Sequence, residues 1–385
     1  MNPFKHPLWQ VGFRPFFTLA CLSGMILPLT WVLVLHGASS NNAQFSSVQW
    51  HAHEMFFGFG WAVMGGFLLT ASKNWLNIRG YHGAALAWLS ACWLIERVAM
   101  SSLGNQLPPV LLTLASNLFL GSIVVFLLWS FIHYRERDQY RDNAIFLVLL
   151  PAFLIAKYLL LGNTPSSGYS MSLALYRVAF LVMLERTVTQ FMRASFQIAL
   201  YRSPWLDSGI KIGGLLLVGE FWLPAQLTVT IELLLASLLL GRFAMWHPRM
   251  ALRKIELGIM YLGQLALISQ LIIAAYASLT PLPLVGSVNT HLFTFGVMGT
   301  IIPAMILRIS QGHTGRKITF CQVDRGILWL TLINLNLRVV IPQFFPATYL
   351  LCRDLSAGGW IIVFSWLTWR CLPMLWQARI DGREH

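Results

Sequence analysis

Twelve apolar segments run through this chain, and the connections between them alternate in charge. The segments lie near 13–36, 51–71, 83–103, 109–133, 143–162, 170–187, 208–224, 226–246, 256–278, 290–310, 325–344 and 347–376. Each approaches the ~20 residues that a helix needs to cross the hydrocarbon core of a bilayer. The connections near 37–50, 104–108, 163–169, 223–227, 278–290 and 344–348 hold no Lys or Arg. The alternate connections and the two tails hold most of the 27 basic residues. Anionic lipid and the membrane potential keep basic loops on the cytoplasmic side. The pattern predicts an all-α polytopic transmembrane bundle of about 12 spans, with N- and C-termini cytoplasmic. Helices are expected because a lipid-exposed backbone has to satisfy its own hydrogen bonds. The ten-residue alternation of barrel strands is absent.

Composition agrees. Charged residues make up 11% of the chain, against about 25% in a soluble domain. A net charge of +13 would suggest nucleic acid in a soluble protein. Here it is the positive-inside bias itself, so lipid is the expected partner and nucleic acid is not. The five Cys form no CxxC and no zinc-type spacing. Segment 13–36 is too long for the apolar core of a signal peptide and reads as a retained first span. No appended soluble domain and no clear internal repeat is visible, so residues 1–385 read as one bundle domain.

Charge inside a membrane helix is costly and commonly marks function. Five cations fall inside spans: Arg97, Lys157, Arg177, Arg338 and Arg353. By the charge pattern they lie at mid-depth or in the outer half. The acids there are Glu54, Glu96 and Asp354. Two readings follow. One is local pairing, such as Arg97 with Glu96, although neighbours one apart on a helix do not face each other. The other is an anionic guest in the outer half.

Histidines sort by depth as well. His51, His53 and His291 stand at outer ends of the second and tenth spans, within Trp50-His51-Ala52-His53-Glu54-Met55 and Thr290-His291. On a helix His51 shares a face with Glu54, and His51 and His53 point apart. In an extended entry segment His51 and His53 would point the same way. Gly58, Ala62 and Gly66 follow at four-residue spacing, a stripe suited to close helix contact. Glu54 continues that stripe, which turns it toward a neighbouring helix. Imidazole serves as ligand to haem iron and to copper alike, so these three histidines are the candidate metal ligands. Arg97, Arg177 and Arg338 are candidate partners for an anionic guest such as a haem propionate, with Glu54 beside them. Ser310-Gln311-Gly312-His313-Thr314-Gly315-Arg316-Lys317 is glycine-rich and basic but is no nucleotide-binding loop. No acid/base pair or nucleophile–base arrangement is visible, so no catalytic residue is assigned. A different class, a permease without metal, would place its site near Arg177, Glu220 and Glu232.

Three groups of residues also resemble one known family. They are Gly12-Phe13-Arg14-Pro15-Phe16-Phe17; Trp50-His51-Ala52-His53-Glu54-Met55 with Gly66-Phe67-Leu68-Leu69-Thr70-Ala71 and Asn74-Trp75; and Gly312-His313-Thr314-Gly315-Arg316. Together, and in this order, they resemble the NnrS family. The resemblance implies a multi-pass protein of the bacterial inner membrane that holds haem and copper. It also implies a part in nitric oxide defence, with nitric oxide or a related small molecule as partner. Two departures stand out. Glu256-Leu257-Gly258 occupies the place of a family His-Leu-Gly run, and Glu185-Arg186-Thr187-Val188-Thr189-Gln190-Phe191 lacks a family Pro. His313 then has two readings: a second metal site, or a loop that fixes how the tenth span docks. The carboxylate at 256 favours docking, because borderline metals prefer imidazole.

Overall fold

The computed structural model describes residues 3–383. His385, which the charge pattern assigns to the cytoplasmic side, lies outside them. Among the described residues the chain is helical, with no strand. The long helices are α1 (Phe13–Leu35), α2 (Ser47–Trp75), α3 (Ala84–Met100), α4 (Pro109–His133), α5 (Ile145–Leu161) and α6 (Pro165–Phe196). They continue as α7 (Pro204–Leu216), α8 (Ala225–Met245), α9 (Ile255–Leu279), α10 (Val288–Gly312), α11 (Gln322–Phe344) and α12 (Tyr349–Trp376).

Among the described residues ten helices are long and apolar enough to cross a membrane. The chain is therefore a multi-pass membrane protein. The other two expected spans are shorter than predicted. α3 covers 17 residues. α7 covers 13 and gives way to a 3-10 turn, Leu217–Trp222, in which Gly219 leaves helical geometry.

Helix starts follow local chemistry. Ser46 caps α2, and Gln49 returns the bond to form a capping box. Pro stands at the first turn of α4 and α7, where its missing N–H costs nothing. Three helices also contain wider, π-helical turns: Glu54–Gly60 in α2, Thr294–Met298 in α10 and Asn336–Val340 in α11. Such turns are rare and are frequent at functional sites. The first two follow one pattern, since His53 precedes Phe57-Gly58 and His291 precedes Phe295-Gly296 at identical spacing. That likeness is too short to register as a repeat in the sequence.

The chain divides into two compact units that interleave in sequence. The first holds Met1–Tyr169, Ile306–Thr319 and Phe364–His385; the second holds Ser170–Met305 and Phe320–Val363. In the first, α1 lies on α2, and α4 packs between α3 and α5. Its core is aromatic: Phe16 stacks on Phe119 at 5.7 Å and Trp61 meets Phe153 at 5.1 Å. The α2 stripe is used as expected, with Gly66 against the Phe16 side chain of α1. In the second unit α9 packs along α8 and α7 against α8.

Candidate functional site

Unit one buries a compact group of charges at the ends of α2, α3 and α5 that border connections without Lys or Arg. His53 and Glu54 come from α2, Glu96 and Arg97 from α3, and Lys157 from α5. His53, Glu96 and Lys157 are fully buried and Glu54 is 2% exposed. Glu96 Oε1 is the hub. It accepts from Arg97 Nη2 at 2.6 Å and from Lys157 Nζ at 2.7 Å, and it faces His53 Nε2 at 3.3 Å. Glu54 Oε1 lies 3.0 Å from His53 Nδ1, and Glu54 Oε2 accepts from Arg97 Nη1 at 3.2 Å. Lys157 also donates to the Ser116 carbonyl of α4. Two carboxylates thus match two cations, which is what makes burial of either tolerable.

The surroundings hold these groups in place. Gly58 leaves room for the Arg97 guanidinium, since a Cβ there would lie 2.0 Å from Nη1. Its carbonyl accepts from the Trp93 indole at 3.0 Å, and Arg97 lies over the Trp93 ring at 5.3 Å. Trp50 donates its indole N–H to Met100 O at 2.8 Å, and Gln49 donates to Leu160 O at 2.6 Å. These bonds tie the start of α2 to the ends of α3 and α5.

The local-pairing reading therefore describes Arg97. The objection that i,i+1 residues face apart fails because a long guanidinium can swing back over its neighbour once both lean on α2. Arg353 does the same with Asp354 at 2.8 Å. Glu54 turns to α3, as its stripe suggested. His51 and His53 both lie in helix, so they point apart. His51 stacks flat on Trp31 at 4.2 Å. Sequence reasoning left Lys157 and Glu96 out of the candidate site. Their signal was a lone cation in one apolar span and an acid beside Arg97 in another.

His291 belongs to unit two. Its Nδ1 lies 2.9 Å from Ser287 O, so it donates there, and Nε2 carries the lone pair. That nitrogen faces Arg338 Nη2 at 3.3 Å. Arg338 sits in the π-helical turn of α11 and also lies over Tyr349 at 5.5 Å. Arg177 of α6 is 1% exposed, and its Nε and Nη1 have no hydrogen-bond partner among the described residues. Glu232 of α8 is 3% exposed with Oε2 likewise unmatched. Glu220 accepts from Ser170. Glu256 of α9 stands 3.7 Å from Arg325, so the carboxylate at this departure forms an ion pair.

The remaining motif residues meet at the opposite, basic end of unit one. Phe13 N–H donates to Thr70 Oγ1 at 2.8 Å, and the Phe13 ring lies 5.4 Å from His313. Arg14 is fully buried and donates to the carbonyls of Leu375 and Gln377 at 2.7 and 2.6 Å, capping the end of α12. Arg379 donates to His313 O at 3.1 Å, and Ile380 N–H donates to Thr314 O at 3.2 Å. The glycine-rich loop thus contacts α1 and the tail. Among the described residues no three or more His, Cys, Asp or Glu side chains gather as a ready metal site.

Burial holds the His313 pKa below its usual value, and the positive charges of Arg379 and Lys73 lower it further. The unfolded imidazole takes a proton near pH 6.5, which the folded site resists. Stability from this residue is complete above that pH and falls as the pH drops through it. The wild-type melting temperature should decline between pH 7.5 and 5.5. His313→Gln should decline less; an identical slope would remove His313 as the cause.

No curated protein matches the chain. The model of the family described as NnrS protein matches residues 7–379, nearly the whole length. This multi-pass chain, with its three motif groups meeting at two ends of one unit, belongs to the NnrS family.

Proposed function

We propose that this protein is a bacterial inner-membrane haem protein, with copper as a second group, that contributes to nitric oxide tolerance. Its termini face the cytoplasm. One observation supports the reading: the backbone fixes one nitrogen of the His291 ring and leaves the lone pair on the other. A backbone carbonyl holds Nδ1–H, which fixes the tautomer and leaves the lone pair on Nε2; that nitrogen faces Arg338 Nη2, which a metal would have to displace. Arg338, within 3.3 Å of that nitrogen, is placed to pair with a propionate. Ferrous haem supplies direct binding of nitric oxide.

The other candidates divide. His51 stacks on Trp31 within unit one and stays a separate candidate ligand there. His53 does not fit a metal, because each of its ring nitrogens faces a carboxylate within 3.3 Å. Its task is to bridge Glu54 and Glu96. Arg97 is engaged by the same two carboxylates, so the propionate role falls to Arg338 and Arg177.

Protein purified from haem-replete cells should show a Soret band. His291→Ala should lose most of it, His51→Ala part of it, and His133→Ala and His247→Ala none. Arg338→Ala should release haem more readily while the protein stays folded. A folded wild-type protein without a Soret band would sink the haem reading. The metal-free permease then takes its place, favoured by the unmatched Arg177 nitrogens and Glu232 oxygen in unit two.

A further inference from the structure

The connection between α4 and α5 forms a pocket that the haem reading does not use. It encloses about 310 Å³ and is lined by Phe131, Arg135, Asp138, Tyr140, Arg141 and Asn143 among others. The connection is short and holds Arg135, Arg137 and Arg141 against Glu136, Asp138 and Asp142, so it carries no formal net charge; positive-inside anchoring is the bland account of its arginines. Three observations go beyond that account.

The loop is built rather than loose. Gln139 N–H donates to the Trp75 carbonyl at 3.0 Å. Asp138 Oδ1 accepts from the Tyr140 backbone at 3.0 Å and from Asn143 Nδ2 at 2.7 Å. Below it Phe131 stacks on Phe146 at 5.4 Å, and Phe146 stacks on Trp75 at 5.6 Å. A site held in shape before binding loses less entropy when it is filled.

The pocket lining, unlike the whole loop, is positive: Arg135 and Arg141 line it with Asp138, while Glu136 and Asp142 are not among its lining. Arg135 and Arg141 make no hydrogen bond or ion pair among the described residues, whereas Arg137 lies over Tyr134 at 5.6 Å. Asp138 spends one oxygen on the loop itself. Two guanidiniums and one carboxylate leave a single positive charge facing the cavity. A guanidinium fork matches phosphate oxygens in pairs.

The frame is lipid-facing. On α4, Trp129 is 61% and Ile132 64% exposed, and on α5 Val148 is 63% exposed. Trp is favoured at the headgroup level. An apolar chain can run along this surface while its polar head turns into the pocket.

We propose that this pocket binds the phosphodiester headgroup of an anionic phospholipid, with Arg135 and Arg141 on the phosphate and the acyl chains along α4. Free inorganic phosphate offers related chemistry, and the test separates the two. The full chain, purified in detergent, is incubated with phosphatidylglycerol or with phosphatidylcholine of the same acyl chains, and bound lipid is read by native mass spectrometry. Phosphatidylglycerol should be retained in preference. Arg135→Ala/Arg141→Ala should weaken it roughly thirtyfold, the loss of two cation contacts at a membrane surface. Arg249→Ala/Arg253→Ala, a basic pair elsewhere, should leave it unchanged. Both arginines are exposed, and Arg135→Gln/Arg141→Gln serves if the alanine pair does not fold. Equal retention of the two lipids, or equal loss in both double variants, would overturn the proposal in favour of diffuse surface charge. Displacement of the lipid by millimolar inorganic phosphate would overturn the lipid source and leave a soluble phosphate site. None of these readouts depends on haem.

Discussion

Glu96→Ala should cost about 3–5 kcal/mol of stability, the usual penalty for stranding one member of a buried ion pair. Lys157 has no exposed surface, and among the described residues its ammonium bonds to Glu96 Oε1 and the Ser116 carbonyl and lies over the Phe57 ring at 5.6 Å. Without Glu96 the charge faces one backbone oxygen in an apolar surround. Arg97 fares better, because Glu54 still accepts from its Nη1. The compensating change is therefore specific. Glu96→Leu with Lys157→Met removes one carboxylate and one cation and leaves the Arg97–Glu54 pair balanced. The double variant should recover to within about 2 kcal/mol of wild type, since apolar replacement of a buried pair is often neutral. Thermal unfolding in detergent of the two single variants and the double variant reads this directly. Strictly additive losses would show that the two residues are not coupled and that the hub is misassigned.

The second large effect concerns the α5–α6 hairpin. At Gly168 an added Cβ would lie 2.1 Å from the Leu160 backbone nitrogen and 2.5 Å from its Cα. The obstacle is main chain, which cannot rotate away as a side chain can. Gly168→Val should therefore cost about 3 kcal/mol or more, at the upper end of overpacking penalties. It should also loosen the end of α5 from which Lys157 projects. Gly121, in the middle of α4, is the control, because a Cβ there meets nothing within 4 Å. Gly121→Ala should stabilise by up to ~1 kcal/mol through helix propensity. If both substitutions lowered the melting temperature alike, the close contact at Gly168 would not be the reason.

Much of the architecture could be read from the residues alone. A span is a local property: enough consecutive apolar residues have to cross the bilayer whatever their neighbours do. Glu54 could be turned toward a helix because it shares a stripe with Gly58 and Gly66. The docking of the His313 loop was favoured by the carboxylate at Glu256, and Glu256 itself stands beside Arg325. The short spans were harder. The break at Gly219 ends α7 early, and nothing in hydropathy marks where a helix tightens into a 3-10 turn.

Pairing was beyond the sequence. Glu96 and Lys157 stand 61 positions apart, and only the packing of α3, α4 and α5 decides that they meet. The same packing lets Arg97 fold back onto Glu96, against the expectation for adjacent helical residues. Charge type and the apolar runs that carry it were written in the one-dimensional pattern, because a membrane span is defined by consecutive apolar residues. Which nitrogen of each histidine is held, and by what, depends on angstrom-scale geometry. Glu54 holds Nδ1 of His53 and Glu96 lies beside its Nε2, while Ser287 and Arg338 flank His291. Two histidines of equal sequence promise are thereby given different work, because a hydrogen bond is set by the position of its partner and not by the residue's place in the chain.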